Sequence, residues 1–363
     1  MAKKSRIRIA GKKILIIINV LVSVMLLYPL YFSPNALLWL NGFLGLITPY
    51  LLVIEILFLV FWLIAKPIWS LPSLISLLLG WKLIVTFIGW HPGIAFPQKK
   101  KDNTLRIVSW NVKGFNGLLQ KSTMKLRTQE ILYSIQKWGP DIICLQEYNT
   151  NEMPGDVGNH AQYFESEYPY SFFSKDYQGG QSAYFSGCII YSKYKIINAE
   201  RIPFTNVESL IYVNLQKGDD TIRVYTTHLA SYRLKQNDFK AIETGVRSKW
   251  KVVKKMKQAF TERAVQAQMV KAHMNESPYP SIITGDFNDV PHSYTYRMIV
   301  EGWQDAFLEK GFGIGATYMG LSPTLRIDYI LANKAWQVKT WEQVDENLSD
   351  HQMIMADLQL KKQ

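Results

Sequence analysis

Eight polar side chains stand at the ends of short apolar runs in this chain of 363 residues: Asn111, Glu147, His228, Asp286, Asn288, Asp328, Asp350 and His351. Asp350 and His351 are adjacent, in Ser349-Asp350-His351, just before the alternation Gln352-Met353-Ile354-Met355. A carboxylate in such a place can hold a hard cation, and an imidazole can move a proton. The set is oxygen donors and two imidazoles with no thiolate, which suits Mg²⁺, Mn²⁺ or Ca²⁺ better than structural zinc. Such a cation neutralises phosphoryl oxygens and lowers the pKa of bound water. Taken singly, each residue has a plainer use. Asn111 is a turn amide, Glu147 a solvated strand end, and Asp286 with Asn288 an Asx turn. Asp328 has Arg326 beside it for an ion pair, and His228 can be a satisfied half-buried imidazole. Six strand ends that each deliver a useful group outweigh those uses, provided the ends share one rim of a sheet.

The elements that must position them are short apolar runs separated by turns. Leu105–Trp110 reads as a strand ending at Asn111, and Asp141–Gln146 as a buried strand ending at Glu147. Ser186–Tyr191, Arg201–Phe204, Ser209–Gln216 and Thr221–Thr227 are further strands. The last two are joined by the hairpin-type turn Lys217-Gly218-Asp219-Asp220. Ser281–Gly285, Arg326–Leu331 and Gln352–Leu360 complete the set, and Tyr163–Phe173 is aromatic-rich and partly extended. Thr128–Lys137 reads as a helix stopped by Gly139-Pro140, and Phe239–His273 as mostly helical. Many strands with few helices between them predict two packed sheets flanked by helices. Residues 104–363 suffice to bury a core of their own.

Charge divides the chain. The net formal charge is +12, yet residues 1–101 hold 11 Lys+Arg against the single acid Glu55. The other 30 Lys+Arg face 28 Asp+Glu, so the later part is nearly neutral and its pI is no nucleic-acid footprint. Cys144 and Cys188 lie inside apolar runs and read as two buried free thiols.

Three long apolar stretches, about Ile14–Phe32, Ile47–Ala65 and Leu71–Trp90, each reach the roughly 20 residues that cross a hydrocarbon core. A cleaved signal peptide does not fit the length of the first stretch or the two that follow it. Six cations precede the first stretch, and Ser33-Pro34-Asn35 after it holds none. An inside N-terminus and three crossings then leave the later part outside the cytoplasm. Lys99-Lys100-Lys101 argues for the cytoplasmic alternative. Glu55 and Lys82, the charges within the spans, are expected to pair between helices; Lys82 snorkelling beside a protonated Glu55 is the alternative. The expected domains are a membrane anchor at 1–90, a Pro- and Gly-bearing linker at 91–103, and a globular part at 104–363.

Ser-Trp-Asn-Val (109–112), Leu-Gln-Glu (145–147), Thr-His-Leu (227–229), Gly-Asp-Phe-Asn (285–288), Arg-Ile-Asp-Tyr-Ile (326–330) and Ser-Asp-His (349–351) occur in one order. With Gly187–Tyr194, this ordered set resembles the endonuclease/exonuclease/phosphatase (DNase I-like) superfamily over about residues 104–361. The resemblance implies an α/β fold, a four-layer sandwich of two packed mixed β-sheets flanked by helices. It implies Glu147 as principal metal ligand, with Asn111 and Asp350 completing or hydrogen-bonding the shell. Asp286 would orient or deprotonate the attacking water, Asn288 would hold that water or the phosphate, and His228 would bind phosphate or assist the leaving group. His351, oriented by Asp328, would contact the scissile phosphate. Where some members carry an acid two residues after the first Asn, this chain has Lys113. That cation speaks against a second metal and suits a substrate phosphate.

The expectation is a membrane-tethered, Mg²⁺- or Mn²⁺-dependent phosphoesterase (Ca²⁺ being the third choice). Its substrate is nucleic acid, or a phospholipid or inositol-phosphate head group; a catalytically inactive membrane adaptor is the remaining reading. Its partners are that phosphoester and the lipid bilayer. The basic run Arg247–Lys257 fits phosphates of either kind, or a solvated helix face.

Overall fold

The computed structural model describes residues 2–31, 38–93, 95–116, 121–153, 155–180, 183–205, 207–234, 246–320 and 322–361. Ser33-Pro34-Asn35 and residues 239–245, on which two expectations rested, lie outside them. The chain divides into two compact units. One is Met1–Phe87 with Leu234–Thr261 and Val290–Arg297; the other is Ile88–Arg233 with Glu262–Asp289 and Met298–Gln363.

The first unit holds the helices Ala2–Tyr31 and Leu38–Ala65, of which Ala10–Tyr31 and Trp39–Ala65 are long and apolar enough to cross a bilayer. The third apolar stretch is not one helix. Pro67–Leu79 and Trp81–Phe87 meet at a 54° bend, so the expected third span is broken. Gly80 stands at the break, its N–H bonded to Ser76 O at 2.7 Å. A Cβ at Gly80 would lie 2.7 Å from the same oxygen. The predicted Glu55–Lys82 pair is also absent. Glu55 is fully buried and accepts from Ser23 Oγ at 2.8 Å and from Asn19 Nδ2 at 3.3 Å. Asn19 Nδ2 also reaches Ser73 Oγ at 2.7 Å. Lys82 is exposed and makes no ion pair among the described residues. Neutral donors inside the bundle therefore meet the carboxyl, and Lys82 is left at the outside of the helix.

In the second unit the strands are, in chain order, β1 Gly89–Trp90, β2 Leu105–Asn111, β3 Ile142–Asn151, β4 Tyr170–Phe173, β5 Tyr177–Gln178, β6 Tyr184–Ser192, β7 Lys195–Pro203, β8 Ser209–Lys217, β9 Asp220–His228, β10 Ser281–Asp286, β11 Gln304–Asp305, β12 Phe312–Gly313, β13 Asp328–Ala332, β14 Trp336–Val344 and β15 Met353–Leu360. They form two mixed sheets and a small β1–β12 pair. One sheet runs β14-β15-β2-β3-β6-β4, with β5 also on β6; the other runs β11-β13-β10-β9-β8-β7.

Alternation explains the layers. Leu105 and Ile107 join the cluster between the sheets, with Ile211, Val213, Val224, Ile282 and Ile330 from the opposite sheet. Val108 and Trp110, one residue out of phase, face outward onto Ile131 and Ile135 of the helix Lys121–Gln136. Both faces of these strands are thus covered, as continuous apolar runs require. Cys144 and Cys188 are free and buried. The stretch read as a linker is partly tied down. Arg106, fully buried, donates to Pro97 O at 2.7 Å and Gln98 O at 2.8 Å, and His91 N donates to Gly311 O at 3.1 Å.

Candidate active site

Strand register brings the predicted groups to one end of both sheets. In one sheet β10 pairs in parallel with β9 and antiparallel with β13, placing Asp286 beside His228 on one side and Asp328 on the other. In the other sheet Asn111 pairs with Gln146, and Glu147 follows inside β3, which does not end there as expected but runs on to Asn151 past a register shift between Leu145 and Tyr148. His351 stands just ahead of β15, which pairs with β2 from Ile354–Ser109 onward. Trp110 Nε1 donates to His351 O at 2.8 Å and holds that backbone in place.

Asp286 Oδ2 is the hub. Asn111 Nδ2 lies 3.1 Å from it, His228 Nε2 3.5 Å and His351 Nε2 3.7 Å. The same Asn111 nitrogen donates to Glu147 Oε1 at 3.1 Å. Asp286 Oδ1 accepts from Asn288 N–H at 2.8 Å, and Asn288 Nδ2 reaches Leu229 O at 2.9 Å. The local backbone is unusual in support of this. Lys113, Glu147 and Asn288 all sit at positive φ (48°, 48° and 52°), an arrangement that surrounding structure must enforce. Gly285 has φ 143°, and a Cβ there would collide with the Thr227 carbonyl of the parallel neighbour. Glycine is therefore what lets β9 and β10 deliver His228 and Asp286 side by side.

His351 Nδ1 lies 3.0 Å from Asp328 Oδ2, the expected dyad. Burial works against a charged imidazole, but Asp328 and Asp286 outweigh it and raise the pKa to about 10. Burial likewise raises the Asp328 carboxyl, against the pull of His351. Both directions describe a pair that keeps one proton. It belongs on the imidazole, because two carboxylates face that ring. Lys113 Nζ lies 2.7 Å from Asp350 Oδ2, and that hydrogen bond raises the lysine's pKa despite partial burial. The cation expected to meet substrate and the acid expected to help hold metal are thus each other's partners.

The residues fit a hard cation. Asp286 and Asp328 offer carboxylate oxygens within 4.8 Å of each other and of the His351 imidazole, which in its charged form is their neighbour and not a ligand. Asp328 Oδ1 is buried with no hydrogen-bond partner among the described residues, and Glu147 keeps 43% of its side chain exposed beside them. An orphaned buried carboxylate oxygen among further carboxylates is a cost that a bound cation removes. Asn111 presents its nitrogen to the acids, while its Oδ1 accepts Lys113 N–H at 3.0 Å. Its amide nitrogen is thus a hydrogen-bond donor to both carboxylates.

Some groups at the site carried no signal in the sequence. Thr317 Oγ1 accepts from Ile327 N–H and Asp328 N–H, both at 3.1 Å, and so fixes the dyad's carboxylate. Tyr318 bridges to His351, with ring centroids 4.8 Å apart. Both lie in the Gly-rich stretch 311–320, which has no periodicity to mark them. Gln146 Nε2 reaches Thr226 Oγ1 at 2.9 Å and ties the two sheets together beneath the site. A cavity of about 290 Å³ opens beside Glu147 and His228, walled by Tyr177, Tyr184 and Val207. His160, outside the site, is buried against Asn149 O at 2.7 Å, and burial lowers its pKa to about 4.

Comparison with known proteins bears on both parts of the chain. A model of the Endonuclease/Exonuclease/phosphatase family matches residues 108–351, and one of a domain of unknown function (DUF8431) matches residues 12–87. A DNA-(apurinic or apyrimidinic site) endonuclease of Dictyostelium discoideum is 31% identical over 81 residues, covering 22% of this chain and 19% of that protein. The chain thus spans about a fifth of that curated relative's length. Among solved structures, an endonuclease/exonuclease/phosphatase from Beutenbergia cavernae is 20% identical with TM-score 0.50, covering 71% of this chain and 72% of that one. The human Nocturnin catalytic domain with bound sulfate is 18% identical with TM-score 0.52, covering 74% and 100%. A Bacteroides thetaiotaomicron family protein is 16% identical with TM-score 0.52, covering 72% and 100%. At these identities the structures share the fold with this chain.

Proposed function

Because the chain belongs to the endonuclease/exonuclease/phosphatase family, we propose that it is a bilayer-tethered, divalent-metal-dependent phosphodiesterase whose substrate is nucleic acid. One observation carries this reading: Asn111, His228 and His351 all converge on Asp286 Oδ2. The named endonuclease relative favours nucleic acid as substrate.

Each residue then has a task. Glu147 and the neighbouring carboxylates would hold Mg²⁺ or Mn²⁺, which would neutralise phosphoryl oxygens and make water more acidic. Asp286 takes the proton of the attacking water, with Asn288 N–H and Asn111 Nδ2 holding both of its oxygens in place. His351, kept charged by Asp328, stabilises negative charge on the phosphate. His228, 23% exposed at the mouth, passes a proton to the leaving oxygen. Lys113 swings from Asp350 to a non-bridging oxygen when substrate enters.

Residues 1–90 serve as anchor and 104–363 as the catalytic part. The Pro67–Leu79 part of the broken third stretch packs beside the first helix, between Lys12 and Tyr31. Lys12 Nζ is 5.8 Å from the Trp69 ring at one end, and Tyr31 Oη is 3.0 Å from Leu79 O at the other. That supports a third crossing. With the N-terminal cations inside, the catalytic part lies outside the cytoplasm.

The test uses full-length protein in micelles with labelled single-stranded DNA, duplex DNA and RNA, in Mg²⁺ and in EDTA. Product is expected only with metal, and not from Asp286→Asn. Equal cleavage by that variant or in EDTA overturns the assignment. A second reading, a phospholipid head-group phosphodiester, is favoured by the two apolar helices in the same chain. Sphingomyelin and phosphoinositides in the same panel decide between them.

A further inference from the structure

Lys249, Lys251, Lys254, Lys255 and Lys257 fall within nine residues that hold no acid. They lie on the first half of the helix Val246–Asn275, in the same unit as the apolar helices. That half-helix has two faces. Val252, Ala259 and Phe260 are buried. Trp250 is 68% exposed and Val253 36%, and positions 250, 253, 254 and 257 share one stripe by helical spacing. Lys249, Lys251 and Lys254 are exposed and make no ion pair among the described residues.

The half-helix is fixed at a definite level of the bundle. The Phe260 ring meets Phe43 edge-on at 5.1 Å, and Lys257 Nζ lies 4.6 Å from the Trp39 ring. Any Cβ at Gly42 would collide with the Phe260 ring, so the two helices approach closely there. Trp39 stands at the first turn of the second apolar helix, where an indole marks the change from hydrocarbon to head groups. Phe43 is one turn deeper. The lysine stripe therefore begins beside Trp39, at the end of the bundle away from the Lys12–Trp69 contact. A solvated helix face would account for the lysines but not for an indole left two-thirds exposed between them. An amphipathic helix lying in a bilayer interface accounts for both.

We propose that this face binds anionic phospholipid head groups, with Trp250 and Val253 at the acyl boundary and Lys249, Lys251 and Lys254 on the phosphates. It rests on the bilayer reading of the apolar helices and not on the catalytic assignment. Cys144 and Cys188 are both buried, so a Val253→Cys variant takes a thiol-reactive, polarity-sensitive fluorophore at one place.

The labelled full-length protein is assembled into nanodiscs of phosphatidylcholine alone or mixed with phosphatidylglycerol. Blue-shifted emission and quenching by brominated lipid are expected with phosphatidylglycerol, and both should fade as salt rises. The triple change Lys249→Gln, Lys251→Gln, Lys254→Gln should abolish the shift with an unaltered unfolding midpoint. Identical emission in the two lipids overturns the proposal. So does a shift caused by short oligonucleotides in phosphatidylcholine discs with none from phosphatidylglycerol. A chain that fails to enter discs at all overturns the bilayer reading and this proposal together, whereas loss of phosphodiesterase activity in Glu147→Gln leaves the shift intact.

Discussion

Asn111 Nδ2 and Asp286 Oδ2 meet at 3.1 Å, joining the rim of one sheet to the rim of the other. The same nitrogen serves Glu147, so one amide holds two carboxylates that would otherwise repel. Replacing Asn111 by Ala should lower kcat by about 10²-fold, the scale of one preorganised donor at a reacting centre. Turnover within twofold of the parent, in a variant with an unchanged melt, would remove Asn111 from the machinery.

The dyad predicts a pH signature. His351 is held near pKa 10 in the fold, against about 6.5 for an unperturbed imidazole. A raised histidine stabilises fully below the unfolded value, and that contribution is lost as pH rises through the folded one. Metal-free protein should therefore lose stability between about pH 6.5 and 10. Asp328→Asn should flatten that decline and bring an imidazole titration back towards neutral pH by NMR. An identical decline in the variant would show that Asp328 does not hold the proton.

Much of this site was readable before coordinates, for a physical reason. Each site residue ends an apolar run, and parallel or antiparallel register then fixes which ends coincide, as with Asp286 between His228 and Asp328. Elements with no periodicity were not readable, such as the stretch that supplies Thr317 and Tyr318. β14 was missed although Trp336, Val338 and Trp341 are its buried members, because a bulge between Val338 and Thr340 breaks the alternation. The supposed Glu55–Lys82 pair failed because depth along helices says nothing of rotation about their axes. Neutral donors on the correct faces, Asn19 and Ser23, took the carboxyl instead.

The donor set predicts metal dependence. EDTA should abolish activity, and Mg²⁺ or Mn²⁺ should restore it. Glu147→Gln removes that residue's negative charge and leaves one carbonyl oxygen as a ligand, so it should need more Mg²⁺ for half-maximal rate, with a fall in maximal rate of about 10–100-fold. A metal titration of both proteins under one substrate checks this; superimposable curves would exclude Glu147 from the metal shell.

Arg106 tests the fold apart from the chemistry. Its guanidinium is fully buried and meets Asp357 across strands at 2.7 and 2.8 Å, while also donating to Trp138 O at 2.7 Å. Removing one partner of a buried pair costs about 3–5 kcal/mol, because the other charge is left without compensation. Arg106→Met should lose stability on that scale in denaturant titrations, and adding Asp357→Leu should recover part of it. A double variant no better than the single one would place the cost in the lost carbonyl contacts.

Glu55 offers the last test, of the apolar bundle. Its oxygens accept from Ser23 and Asn19, donors on the first helix, while Asn19 also holds Ser73 beyond the second. The three apolar segments are therefore clasped by hydrogen bonds from neutral donors, each worth about 0.5–2 kcal/mol in such surroundings. Glu55→Gln keeps an acceptor and should melt close to the parent in detergent. Glu55→Leu removes both acceptors, leaves the Ser23 and Asn19 donors buried, and should melt distinctly lower. Lys82→Met should change neither melt, since Lys82 is exposed. A Lys82→Met melt as low as that of Glu55→Leu would restore the ion pair and refute the clasp.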